Sequence, residues 1–244
     1  MLVSEFRYDW ALRQPRLEKL EVASSFCKRL FLYKLICVRF VSSTKSLGIQ
    51  IDDQLTFQKQ VIALKQDCFR LIINICKMRN ILTKDQLKLI VNSLVICKLD
   101  YCNSLFYGIS EKYLDELQRI QNAAGKAVCG LYKYDSVGST LKDLHWLPVR
   151  ERITYKILLI VYKSLNGMGP DYLADMLTYA NYSHAIHLVE PRVNTGFGNR
   201  AFQKYAPTLW NDIPTAIKQC STLGGFKSML KTHLFNAAYN VEQL

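Results

Sequence analysis

Apolar residues recur through the middle of the chain at the 3.6-residue spacing of helices, and they predict three helices in succession. Over 54–80, Val61, Leu64, Cys68, Leu71, Ile72 and Ile75 share one side of a helix. Lys59, Gln66, Arg70 and Lys77 stand seven, four and seven residues apart, which stacks them in one line on the opposite side. Thr83 is placed to cap a second helix running to Tyr107 and stopped by Gly108, with Leu87, Ile90, Val91, Leu94 and Val95 as its stripe. Ser110 is placed to cap a third. There Leu114, Leu117, Ile120, Gln121, Ala124 and Val128 share a side before Gly130 ends the helix. Short Gly and Ser breaks between three such segments predict a helical bundle.

The flanking patterns are shorter. Ser46 to Asp52 alternates as one short strand, with Gly48 permitting close backbone approach. Before it, 21–40 predicts a basic helix, and the whole of 1–44 is a divergent N-terminal segment. After a turn-rich stretch at 134–139, Pro148 starts a helix that reaches Leu165 and stops at Asn166-Gly167. Pro170 opens a brief helix ending near Leu177. Leu188 to Phe202, with Asn194-Thr195-Gly196 at its centre, predicts a small β-hairpin. Helices over 208–219 and 223–239 close the chain. The expected fold is mainly α: a helical bundle over 45–131, then a smaller α-rich region over 132–244 containing that hairpin.

Charge adds a partner to this picture. Lys and Arg number 32 against 20 Asp and Glu, a formal net charge of +12. Such an excess favours polyanions, because basic side chains that neutralise phosphates release counterions. A basic protein without such a partner has the same composition. The apolar stretch 26–41 is interrupted by Lys28, Arg29, Lys34 and Arg39, which is too costly for a membrane span, and no membrane partner is expected. Eight scattered Cys without a Cys-x-x-Cys pair read as reduced, buried thiols of an intracellular protein, nuclear or cytoplasmic and not secreted.

Catalytic and metal chemistry find little support. Asp52-Asp53 resembles a metal-binding pair only in composition, since no third carboxylate stands on a neighbouring predicted strand; a turn that caps the next helix accounts for it better. His184-x-x-His187 and Cys97-x4-Cys102 lack the second pair that a zinc site needs. No nucleophile elbow or phosphate loop occurs, so neither metal nor cofactor is expected. The line of Lys59, Gln66, Arg70 and Lys77 suits phosphate contacts, although any amphipathic helix has a solvated side. Arg119, Lys126, Lys133, Arg150, Arg152 and Lys156 are weaker additions, and Arg192 and Arg200 flank the predicted hairpin. Trp146 and Trp210 are expected in the core rather than stacked on bases.

Several strings, taken in order, carry a resemblance. They are Leu99-Asp100-Tyr101-Cys102-Asn103-Ser104-Leu105, Leu117-Gln118-Arg119-Ile120-Gln121-Asn122-Ala123-Ala124 and His145-Trp146-Leu147-Pro148-Val149. Tyr162 to Gly167, Gly169 to Leu173, Asn199 to Phe202, Ala206 to Asn211 and Phe226 to Phe235 follow. In that sequence they resemble the C-terminal part of the reverse transcriptase polyprotein of jockey-like non-LTR retrotransposons, over about four fifths of the chain.

The resemblance implies the thumb and post-polymerase region of an RNA-directed DNA polymerase, without its catalytic palm. The Tyr-Ala-Asp-Asp string of that family occurs nowhere here. It further implies that the 54–80 helix lies against template-primer, so that Lys59, Gln66, Arg70, Lys77, Arg119 and Lys126 contact RNA or RNA–DNA duplex without base specificity. The expected function is then a nucleic-acid-binding remnant that is no enzyme by itself. A protein-interaction remnant, or a degenerate reading frame without a biochemical role, is the alternative.

Overall fold

A computed structural model describes residues 41–132, 134–180 and 187–239. The basic helix expected over 21–40, most of the 1–44 segment, Lys133 and His184 lie outside them. The described chain is mainly helical, with one small antiparallel sheet at its start.

That sheet pairs β1 (Ser43–Ser46) with β2 (Ile49–Asp52), in a register that sets Ser46 opposite Ile49. The segment expected as one strand is therefore a hairpin. Leu47 and Gly48 form its two-residue turn, both with positive φ (47° and 85°), as a hairpin of this twist demands. Alternation in the sequence is blind to this reversal, because each arm is only four residues long.

Helix α1 (Gln58–Lys77) buries Val61, Leu64, Cys68, Ile72 and Ile75, while Leu71 is half-buried. Thr83 caps α2 (Lys84–Val91) in a reciprocal capping box with Gln86. A π-helical turn (Asn92–Ile96) and α3 (Cys97–Asp100) continue the same rod. The rod was expected to reach Tyr107, but it ends at Asp100. Cys102 adopts φ 52°, and a 3-10 turn (Asn103–Phe106) follows. The extra residue of the π turn also shifts the stripe: Leu94 is exposed, whereas Val95, Ile96 and Leu99 are buried. Helix α4 (Glu111–Cys129) begins after Ser110, whose side chain makes no capping bond, and Gly130 closes it with φ 73°.

Contacts orient the three rods. Lys65 pairs with Glu116, and the Arg79 guanidinium lies against Gly130, so α1 and α4 run parallel. Lys98 of α3 reaches Asp67 of α1 at 3.7 Å, which sets the intervening rod antiparallel to both.

The C-terminal half wraps a central helix. After α5 (Gly138–Asp143) comes α6 (Val149–Leu165), which begins behind Pro148 as expected. It buries Ile153, Ile157, Leu158, Val161 and Tyr162 against neighbours on more than one side. The remaining elements are α7 (Asp171–Asp175), α8 (Gly196–Asn199), α9 (Phe202–Asp212), α10 (Thr215–Lys218) and α11 (Leu223–Tyr239). Tyr162 stacks on Phe226 with centroids 4.1 Å apart, and Trp210 lies 6.1 Å from the same ring.

The hairpin expected over 188–202 does not form. Leu188 makes a lone bridge to Tyr179, and Thr195 accepts a hydrogen bond from the Gly198 N–H to start α8. The Asn-Thr-Gly string thus serves as a helix cap rather than a β-turn. Helix α9 begins at Phe202, six residues before the expected start, and Pro214 divides it from α10. From Ser42 onward the chain is one compact unit, with one hydrophobic cluster from Ile49 to Leu234. Of the described cysteines only Cys68 is buried; Cys76 and Cys97 are exposed, and Cys102, Cys129 and Cys220 are half-buried. The expectation of buried thiols fails for these: Cys76 and Cys97 lie off the inner stripes of their helices, Cys129 ends α4, and Cys102 and Cys220 stand outside the helices.

Candidate functional site

Lys59, Gln66, Arg70 and Lys77 form an exposed line along α1. The buried residues of α1 centre on the opposite side, so packing forces this line outward. Lys59 Nζ donates to Ser43 Oγ at 2.8 Å, which ties the helix start to β1. Arg70 pairs with Asp67 at 3.0 Å, one turn away and itself exposed. Among the described residues Lys77 makes no ion pair.

Arg119 and Lys126, seven residues apart, form a second line on the outer side of α4. Arg119 donates to Glu116 at 2.9 Å, and Lys65 holds the same carboxylate from α1. The Lys65 hydrogen bond keeps the Glu116 carboxyl below its ordinary value. Glu116 thus ties Arg119 to Lys65, which lies off the exposed line of α1.

The weaker candidates separate. Arg150 pairs with Glu111, and Arg152 holds Asp100 with two guanidinium N–H groups, one at 2.8 Å. Arg192 is exposed. Arg200 is no surface charge: it donates to the Leu55 carbonyl at 2.6 Å and lies across Gly108. It straps the C-terminal half to the turn before α1.

Asp52 has a structural task. Its carboxylate accepts from the Thr56 N–H at 2.8 Å, the Thr56 hydroxyl at 2.7 Å and the Phe57 N–H at 2.8 Å. Burial works against its ionisation, but these hydrogen bonds together hold the carboxyl below its ordinary value. Among the described residues no group of three or more His, Cys, Asp or Glu is placed to hold a metal ion. Trp146 and Trp210 are both buried in the core. No helix among the described residues is long and apolar enough to cross a membrane.

One feature escaped the sequence reading altogether. A cleft of about 620 Å³ opens between the α2–α3 rod and α6, within the usual size of a ligand pocket. The rod contributes Lys88, Asn92, Asp100 and, from its end, Asn103. Helix α6 contributes Arg152, Tyr155 and Lys156. Helix α11 adds Lys231, and the loop after α5 adds His145. The π-helical turn lies in one wall, and His145 holds a positive φ of 54° beside the other. Both are features that recur at functional sites. No signal in the sequence could have found the cleft, because its cations come from three distant segments. A second cavity of about 370 Å³, beside Asp115, Arg150 and Glu151, carries mixed charge.

No protein-family model, curated protein or solved structure matches the chain.

Proposed function

We propose that this chain is a nucleic-acid-binding remnant related to the thumb and post-polymerase region of jockey-like retrotransposon reverse transcriptases. It grips RNA or RNA–DNA duplex through phosphate contacts and does not itself polymerise nucleotides. The observation that carries the reading is the exposed line of Lys59, Gln66, Arg70 and Lys77 on α1. It agrees with a net charge of +12 and with the ordered strings that resemble that family. Cations spaced by two or three helical turns and backed by a packed face suit successive phosphates. Such contacts contribute affinity without reading bases.

A gel-shift titration with an RNA–DNA duplex at low and moderate salt tests this reading. Binding is expected at micromolar protein, weakening steeply as salt rises. The triple variant Lys59→Ala, Arg70→Ala, Lys77→Ala should bind more weakly and lower the log–log salt slope by about 2 to 3. Absence of any shift at low salt overturns the function and favours a protein-interaction or structural remnant. An unaltered titration in the triple variant overturns the site.

A further inference from the structure

We propose that the cleft between the α2–α3 rod and α6 is a binding site for a nucleoside polyphosphate or a phosphorylated nucleotide terminus. This site is separate from the α1 line and does not depend on it. Four cations line the cleft, Lys88, Arg152, Lys156 and Lys231, against the carboxylate of Asp100. Arg152 is already committed to that carboxylate through two hydrogen bonds. Lys88, Lys156 and Lys231 make no ion pair among the described residues, so three like charges face one cavity uncompensated. Like charges gathered around one concavity repel each other unless an anion enters, and a polyphosphate carries the matching number of charges.

A second, independent observation points to the remainder of the ligand. Asn103 lines the cleft and is only 3 % exposed, yet its Oδ1 accepts no hydrogen bond among the described residues. Its amide N–H faces Asp100 at 3.5 Å, which fixes the orientation of the carboxamide, since the opposite one would set oxygen against carboxylate. A buried acceptor left without a donor is unusual in a folded chain, and an amino or hydroxyl group of the ligand would satisfy it. Ile96, Leu159 and Tyr155 supply apolar and aromatic wall for a base. Phosphates, a polar N–H or O–H donor and a flat apolar body together describe a nucleotide.

The test is isothermal titration of the full chain, with EDTA present, against ATP, a 5′-phosphorylated oligonucleotide, inorganic pyrophosphate and adenosine. Saturable binding of ATP or of the 5′-phosphorylated end is expected, each stronger than pyrophosphate or adenosine. The tighter of the first two identifies the source of the phosphate. The variant Lys88→Ala, Lys156→Ala, Lys231→Ala changes no core residue and should weaken binding by about tenfold or more. Asn103→Leu, with its melting temperature checked, should weaken ATP while leaving pyrophosphate unchanged. The Lys59, Arg70, Lys77 variant should bind ATP as the unaltered chain does. No binding of any phosphate probe, equal binding in the cleft variant, or pyrophosphate binding as strongly as ATP overturns the proposal.

Discussion

Asp52 shows how one side chain can outweigh a pattern. Leu55 and Phe57 both hold positive φ (49° and 56°), which non-glycine residues adopt at a cost. Asp52 accepts three hydrogen bonds from Thr56 and Phe57, and Phe57 is buried edge-on to Phe106 at 5.6 Å. Together these hold the turn ahead of α1. Asp52→Ala should destabilise the fold by about 1 kcal/mol at neutral pH, read from urea denaturation, because a partly exposed carboxylate is discounted by solvent. The pH dependence follows from its lowered carboxyl value. Ionised Asp52 contributes stability above the ordinary carboxylate range, and that contribution is lost as pH falls through the lower folded value. The alanine variant should therefore lose less stability than the unaltered chain between neutral and strongly acidic pH. A parallel acid profile in both would show that Asp52 carries no such share.

At the scale of elements, two of the quoted strings turn out to hold each other. Gln121 of α4 is fully buried and donates to the Leu147 carbonyl at 2.8 Å, while Gln118 donates to Gln121 at 3.0 Å. Gln118 also accepts from the Val149 N–H at 2.9 Å, one of the backbone donors left open at the start of α6. The Leu-Gln-x-x-Gln string thus docks the Trp-Leu-Pro-Val turn onto the bundle, and Tyr239 seals the turn from α11 by donating to the Trp146 carbonyl at 2.7 Å. Gln121→Ala strips a buried carbonyl of its donor and should cost about 2 to 3 kcal/mol, whereas Gln66→Ala on the exposed line should stay within about 0.5 kcal/mol. Equal effects in thermal unfolding would remove this role. In the sequence Gln121 reads as an inner-side residue, and it is one. Its partner at Leu147 was not legible, since it stands 26 positions further along the chain, beyond a break.

For the molecule as a whole, the hydrophobic cluster crosses the point where the pattern of helices and turns suggests a division near residue 131. Asp100–Arg152 and Arg200–Leu55 add polar ties between the two halves. Unfolding of the described unit should accordingly be one transition. In a Trp10→Phe variant, fluorescence reports only Trp146 and Trp210, both buried in the C-terminal half, and circular dichroism reports helix throughout. The two melting curves should coincide, and an earlier transition in either probe would mean that the halves melt separately.

The chain alone determined its helices wherever one side packs and the other meets water, as in α1 and α4. There a 3.6-residue apolar period leaves a single solution, and it sets the Lys59–Lys77 line outward with no further information. The reach of the second rod, the ends of α9 and the arms of the first hairpin came instead from contacts formed at a distance. Cys102 and Leu47 take backbone conformations that no local preference favours, and α6 is apolar on several sides because helices before and after it both close upon it. The basic cleft belongs wholly to the tertiary structure: Lys88, Lys156 and Lys231 are each unremarkable in the string of residues, and only folding brings their charges around one cavity.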